Sequence, residues 1–205
     1  MTPIQVERLV LGEVRVNCYV VSNSETGECV IVDPGAEADR IAACVGDRRP
    51  VAVLLTHAHY DHIGALDAVC DRYDVPAYVH EADAGKLNDA QANVSALFTS
   101  PVTQRTVPRL LRGGETLSLA GLNFEVLHTP GHSAGSVCYL LPENAGVLTG
   151  DTLFAHGYGR TDFADGNFSQ MHQSLRLLYR LTPKRPTYPG HDVPGFAGHD
   201  PVRNA

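Results

Sequence analysis

Thr56-His57-Ala58-His59-Tyr60-Asp61-His62 carries three imidazoles and a carboxylate within seven residues, directly after the apolar run at 51–55. Only ten of the 205 residues are histidine, so three in six positions are not expected by chance. Imidazole nitrogen and carboxylate oxygen are ligands that Zn²⁺ and Fe²⁺ accept in proteins. The stretch therefore predicts a strand that delivers metal ligands.

Three more strand-like runs lead to the same residue types further along the chain. The run at 122–127 precedes His132, the run at 145–149 precedes Asp151, and the run at 185–190 precedes His191. In open α/β architectures the carboxyl ends of strands form sites, so four such ends can meet at one edge. The candidate metal ligands are His57, His59, Asp61, His62, His132, Asp151 and His191.

Seven ligands are too many for one tetrahedral ion and suit two. The i, i+2 spacing lets His57 and His59 reach one ion, with His132 as the third ligand. Asp61, His62 and His191 form the second set. Asp151 can offer one oxygen to each ion, and two ions about 3.5 Å apart that share a hydroxide are typical of hydrolases.

These motifs resemble a known family. HAHYDH at 57–62, TPGH at 129–132, TGD at 149–151 and PGH at 189–191 are similar to the motifs of metallo-β-lactamase-fold hydrolases. VDPG at 32–35, GDTLF at 150–154 and GYGRTDF at 157–163 resemble glyoxalase II (hydroxyacylglutathione hydrolase) and its short bacterial relatives. Fourteen residues follow His191, so we expect the C-terminal helical domain of full-length glyoxalase II to be absent.

The resemblance implies an α/β fold, a four-layer αββα sandwich, formed as a single domain over residues 1–205. The residue pattern agrees, since strands and helices alternate in both halves. Strands are predicted at 4–11, 14–21, 28–33, 51–55, 76–80, 116–119, 122–127, 137–141 and 147–149, and helices at 36–45, 62–72, 81–87 and 169–181.

The resemblance also implies hydrolysis of a thioester of the S-acylglutathione type. Asp61 and Asp151 are the expected catalytic carboxylates, and two divalent ions are the expected cofactors. Zn²⁺ is favoured over Fe²⁺ and Mn²⁺, although these ligands accept all three. Arg160 and Tyr158 align with the segment of glyoxalase II in which a basic residue helps to bind glutathione.

Two other functions fit the motifs. Persulfide dioxygenases resemble this fold and use a single Fe²⁺, which here would be held by His57, His132 and Asp151. Such a site, with two histidines and one carboxylate, suits a non-haem iron oxygenase. A non-catalytic metal-binding or sensor protein would carry a damaged ligand set, and no ligand is missing here.

Composition limits the partners. A net charge of -7 argues against a nucleic-acid surface, which needs basic patches. No apolar stretch reaches about 18 residues, so we expect no membrane association and a cytoplasmic protein. The five cysteines form no C-x-x-C pair and are expected to be small buried hydrophobes. The resemblance implies a small-molecule thioester or glutathione-derived substrate, and we expect a monomer or homodimer.

Residues 88–108 do not follow the strand and helix pattern. The segment is rich in Ser, Thr, Asn and Gln, yet it also holds Val94, Leu97 and Phe98. Irregular segments of about twenty residues are uncommon in compact domains and often serve as lids or binding loops. The alternatives are a wall of the substrate site, a surface excursion or part of a subunit interface.

Overall fold

The first half of the chain forms a six-stranded mixed sheet. The computed structural model describes residues 3–183 and 185–195. Strands β1 to β3 pair antiparallel, and β3 to β6 pair parallel, in the order of the sequence. The strands are β1 (Ile4–Leu11), β2 (Val16–Asn23), β3 (Glu28–Val32), β4 (Arg49–Leu54), β5 (Ala77–His80) and β6 (Arg109–Leu111).

The second half forms a five-stranded sheet in the order β11-β10-β9-β8-β7. Its strands pair antiparallel, except that β10 and β11 are parallel. The strands are β7 (Thr116–Leu119), β8 (Leu122–His128), β9 (Val137–Leu141), β10 (Gly146–Gly150) and β11 (Thr187–Pro189).

Three apolar layers hold the sheets and helices together. One packs helices α1 (Ala38–Val45) and α3 (Leu66–Tyr73) on the first sheet. A second lies between the sheets and includes the fully buried rings of Phe124 and Tyr139. The third packs α5 (Phe168–Leu181) on the second sheet. The order helix, sheet, sheet, helix confirms the four-layer αββα sandwich.

Helix α5 shows why these residues form this layer. Its buried residues Met171, Ser174, Leu175 and Leu178 recur at helical spacing, so one face of the helix meets the sheet. Asn167 caps its first turn, because the side chain accepts a hydrogen bond from the Gln170 amide at 3.0 Å.

The structure departs from the predicted elements at several points. The predicted helix 62–72 is two helices, α2 (Tyr60–Ile63) and α3, separated at Gly64. A Cβ on Gly64 would overlap the backbone oxygen of Gly35, so the two loops approach closely there. The predicted helix 81–87 is a 3₁₀ helix at Ala84–Asn88, and β6 was not predicted. Segment 88–108 contains one short helix, α4 (Ser95–Phe98).

Two expectations from composition can also be compared with the structure. All five cysteines are free, and all but Cys44 are buried. Burial raises the pKa of the Cys138 thiol to about 12, which suits a small core side chain better than a nucleophile. Within the described residues, no helix is both long and apolar enough to cross a membrane.

Candidate metal centre

The ends of β4, β8, β10 and β11 meet at one edge, and all seven candidate ligands converge there. Each of the two predicted sets is compact, with its ligand atoms within 4.8 Å of one another. The first set is His57, His59 and His132, all buried. The second is Asp61, His62 and His191, in which Asp61 and His191 are partly exposed.

Asp151 lies between the two sets. Its Oδ1 is 3.5 Å from His62 Nε2. Its Oδ2 is 3.5 Å from His132 Nε2 and 3.7 Å from His191 Nε2. One carboxylate therefore faces both groups of ligands, as a bridging ligand requires.

Hydrogen bonds at Nδ1, the ring nitrogen that does not face the cluster, fix the orientation of three of the histidines. His62 Nδ1 donates to Asp33 Oδ2 at 2.9 Å, and His132 Nδ1 donates to the Arg160 carbonyl at 2.8 Å. His57 Nδ1 lies 3.2 Å from Thr56 Oγ1. Such contacts leave Nε2 free to face the cluster, which is the usual way in which proteins orient metal-binding histidines.

Asp33 also anchors the loop that follows β4. It is 2 % exposed and accepts from the Thr56 amide at 2.8 Å and from Thr56 Oγ1 at 2.6 Å. Because the same carboxylate accepts from His62, it fixes both the start of the ligand loop and one of its ligands.

The polar atoms left over in the cluster fit a metal. The Nε2 atoms of His57, His59 and His62 and the Oδ1 of Asp151 are buried and have no hydrogen-bond partner within the described residues. Buried polar atoms without a partner are costly, and His57, His62 and Asp151 form one group of ligand atoms within 4.8 Å of one another, so this group calls for a ligand. A divalent cation such as Zn²⁺, Fe²⁺ or Mn²⁺ accepts this set of nitrogen and oxygen donors.

The pKa shifts of the clustered histidines also fit a bound cation. Burial and the neighbouring histidines lower the pKa of His57 and of His59, so both rings are neutral and able to donate a lone pair. Burial also lowers the pKa of His62, but Asp61, Asp33 and Asp151 outweigh it and raise that pKa to about 10. The carboxylates thus favour positive charge beside His62, and a proton or a metal cation can supply it.

The two predicted substrate residues lie in different places. Arg160 lines the cleft next to the ligands, stacks over Phe163 at 4.5 Å and pairs with both carboxylate oxygens of Asp162 at 2.6 and 2.7 Å. Tyr158 is not among the cleft-lining residues; it packs on the apolar layer under α5, with its ring edge-on to His172. A contact between Tyr158 and substrate has no support from this position.

The cleft also has an apolar wall, which is one of the alternatives expected for segment 88–108. The cavity measures about 340 Å³. Segment 88–108 contributes Val94 and Phe98 to it, so this part of the segment is a wall of the cleft. The sign in the sequence was the presence of Val94, Leu97 and Phe98 in a segment rich in Ser, Thr, Asn and Gln. The other apolar members of the wall are Val14, Phe154 and Phe163.

A buried ion network behind the ligands was not predicted from the sequence. Asp83, fully buried, accepts from the Ala58 amide at 2.9 Å, the Gly135 amide at 2.8 Å and the Ser133 hydroxyl at 2.6 Å. Lys86 Nζ lies 3.2 Å from Asp83. Asp83 therefore joins the loop that carries His57 and His59 to the loop that carries His132.

Comparison with known proteins identifies the family of the chain. The family profile of the Metallo-beta-lactamase superfamily matches residues 11–191, and the chain belongs to that superfamily. A probable metallo-hydrolase of Bacillus subtilis is 37% identical over 197 residues, which cover 95% of this chain and 89% of the relative. Hydroxyacylglutathione hydrolase GloC of Haemophilus influenzae is 32% identical over 187 residues, covering 89% and 84%.

Solved structures give the same fold. The B3 metallo-beta-lactamase BLEG-1 superposes with a TM-score of 0.93 at 34% identity, over 98% of this chain and all of that one. TTHA1623, solved in a di-iron-bound form, superposes with a TM-score of 0.84 at 34% identity, over 94% and 95% of the two chains. The chain is thus a metallo-hydrolase superfamily member with a candidate metal-binding cluster of histidines and aspartates.

Proposed function

We propose that the protein is a dinuclear metal-dependent hydrolase that cleaves a thioester of the S-acylglutathione type. The convergence of Asp61, His62 and His191 supports this proposal most, because a mononuclear site would not need that second set. The dioxygenase alternative uses His57, His132 and Asp151 and leaves the second set without a task.

The first set of ligands faces the apolar wall of the cleft, where an acyl group would lie. Phe163 contacts His59 edge-on, with the ring centroids 5.1 Å apart. When bound, two divalent ions supply a hydroxide near neutral pH and polarise the acyl carbonyl. Water adds to the acyl carbon as the carbon–sulfur bond breaks, and a carboxylic acid and a thiol are released.

Asp61 acts in its ionised form. Burial alone would raise its pKa, but His62 and His191 lower it well below the ordinary value. The carboxylate can therefore hold a cation or orient a water but has no proton to donate. None is required, because a thiol has a pKa of about 8.5 and leaves as the thiolate.

The glutathione part of the proposal rests on the relative from Haemophilus influenzae and on Arg160. An exposed ion pair contributes little, so Arg160 can exchange Asp162 for a carboxylate of the substrate at small cost. The guanidinium can then pair with that carboxylate through two hydrogen bonds.

Metal analysis coupled to two assays tests the proposal. We expect two divalent ions per chain, thiol release from S-lactoylglutathione and no oxygen uptake with glutathione persulfide. One iron per chain with oxygen uptake would establish the dioxygenase instead. Hydrolysis of a chromogenic cephalosporin without thioester cleavage would show a hydrolase of a different substrate class.

Asp151→Ala tests the bridging carboxylate. We expect thioester cleavage to fall by at least about 100-fold and the metal content to drop, because both groups of ligands lose a shared member. His156→Ala is the matched control, since it removes an exposed histidine five residues further on. An Asp151→Ala enzyme with two ions and normal turnover would contradict the bridging role.

A further inference from the structure

The cleft presents large apolar side chains to water at its mouth. Val14, from the turn between β1 and β2, is 46% exposed, and Phe98, at the end of α4, is 56% exposed. Both line the same cleft as the metal ligands. Exposed apolar side chains gathered around a cleft indicate an apolar ligand.

Aromatic contacts connect this mouth to the metal centre. The Phe98 ring stacks with Tyr60 at 6.4 Å and meets Phe163 edge-on at 6.1 Å. Phe163 in turn meets the ring of His132 at 6.0 Å. A continuous aromatic wall therefore runs from the first set of ligands to the surface.

A second cavity, of about 450 Å³, adjoins the cleft at Phe98. It shares Val14, Tyr60, Asp61 and Phe98 with the first. Its remaining wall includes four apolar side chains, those of Leu11, Val16, Ala36 and Val102, together with Glu13, Thr99 and three glycines.

Few charged side chains in the two cavities could select the acyl group of a substrate. Apart from the histidine ligands, Arg160 is the one cationic side chain among the residues that line the two cavities, and Asp162 already pairs with it. Glu13 adds a carboxylate to the second cavity. Burial of apolar surface is what remains to distinguish one acyl group from another.

We infer that the preferred substrate carries an apolar acyl group, an aliphatic chain of several carbons or an aryl ring, which lies along Phe98 and Phe163. This inference rests on the proposed thioester hydrolysis and names the acyl group that this activity selects. Each buried methylene favours binding by about two- to fourfold, so hexanoyl thioester should exceed acetyl thioester in kcat/KM by at least about tenfold.

A series of glutathione thioesters tests the inference. Acetyl, butanoyl, hexanoyl, benzoyl and lactoyl thioesters are compared by thiol release, with the carrier held constant. We expect kcat/KM to rise from acetyl to hexanoyl, with benzoyl also above lactoyl. Equal or higher kcat/KM for acetyl and lactoyl would overturn the acyl inference alone, whereas no thiol release from any member would overturn the hydrolase proposal together with it.

Phe98→Ser locates the selectivity. It should reduce the ratio of hexanoyl to acetyl kcat/KM by about fivefold or more, and this ratio does not depend on how much of the variant is folded. Leu110→Ser is the matched control, because Leu110 is 58% exposed on β6 and lines neither cavity. An unchanged ratio in Phe98→Ser, or an equal fall in Leu110→Ser, would remove Phe98 from the acyl site.

Discussion

Gly190 lies against the proposed bridging ligand, immediately before His191. A Cβ at this position would overlap Asp151 Oδ1 and approach the His62 ring to 2.7 Å. The motif PGH therefore contains a glycine because two ligands occupy the space that a side chain would need.

Gly190→Ala should displace Asp151 and lower both the metal content and the turnover by at least about tenfold. The reason is steric, since Asp151 cannot keep its place between the two sets of ligands. Metal analysis of the purified variant, with circular dichroism to confirm folding, measures the effect. Gly195→Ala is the control, because its Cβ would meet no atom of the described residues within 4 Å. Full metal content in Gly190→Ala would contradict this steric argument.

Arg160 and Asp162 make a second prediction at the residue scale. If Arg160 contacts the glutathione carboxylate, Asp162→Asn removes its competitor and should lower KM by about two- to fivefold. Arg160→Met should raise KM by a similar factor and leave kcat unchanged. Steady-state kinetics on one thioester measures both. Unchanged KM in both variants would exclude Arg160 from the substrate site.

At the scale of elements, Asp83 connects two loops that follow different strands in different sheets. Its carboxylate accepts hydrogen bonds from the Ala58 amide after β4 and from the Gly135 amide after β8. The Lys86 ammonium, 3.2 Å away, forms an ion pair with it. The buried Asp83–Lys86 ion pair, which lies outside both ligand sets, therefore helps to fix the relative position of His59 and His132.

Asp83→Asn leaves the Lys86 ammonium without one of its partners in a buried position. We expect the free energy of unfolding to fall by about 3 kcal/mol and the metal affinity by about tenfold. Urea unfolding and titration with a metal-ion indicator measure the two effects. Asp67→Asn is the control: its carboxylate also accepts backbone amides, from Arg105 and Thr106, and its described hydrogen bonds reach none of the seven candidate ligands. Equal metal affinity in the two variants would leave Asp83 with a structural role only.

The same elements show what sequence patterns can and cannot predict. The buried strand β4 and the apolar face of α5 follow from residue periodicity, and both were predicted close to their observed positions. Strand β6 has three residues, two of them exposed, so it carries almost no pattern. Segment 88–108 is ordered by side chains rather than periodicity: Asn93 donates to the carbonyls of Lys86 and Val102 at 3.0 and 2.8 Å.

The convergence of the candidate metal ligands was predictable for a different reason. Each follows an apolar run, and ligands need particular residue types, so the residue letters alone indicated the seven positions. The cleft wall needs only apolar surface, which is common along the chain. For that reason Phe98 and Phe163 could be assigned to the cleft only when the fold brought them to His59 and His132.

At the scale of the whole molecule, metal removal should lower stability. Asp61 and Asp151 both lie close to His191 Nε2, at 3.1 and 3.7 Å, so two carboxylates share one small region. Without metal cations, only protons can balance their negative charge. A metal ion present at a free concentration of 100 times its Kd raises the free energy of unfolding by about 2.7 kcal/mol. For a protein of this size, that corresponds to a rise in Tm of roughly 5–10 °C. Thermal unfolding with and without a chelator measures the shift, and readdition of Zn²⁺ should restore it. An unchanged Tm after verified metal removal would contradict a stabilising metal site.

The ligands also come from both sheets. His57, His59, Asp61 and His62 follow β4 in the first sheet, whereas His132, Asp151 and His191 follow strands of the second. If the proposed pair of ions is bound in this way, it joins the two halves of the sandwich as a crosslink would, and the halves cannot part without releasing it. Metal supply in the cell would then govern how long each folded molecule resists proteolysis, in addition to how fast it turns over substrate.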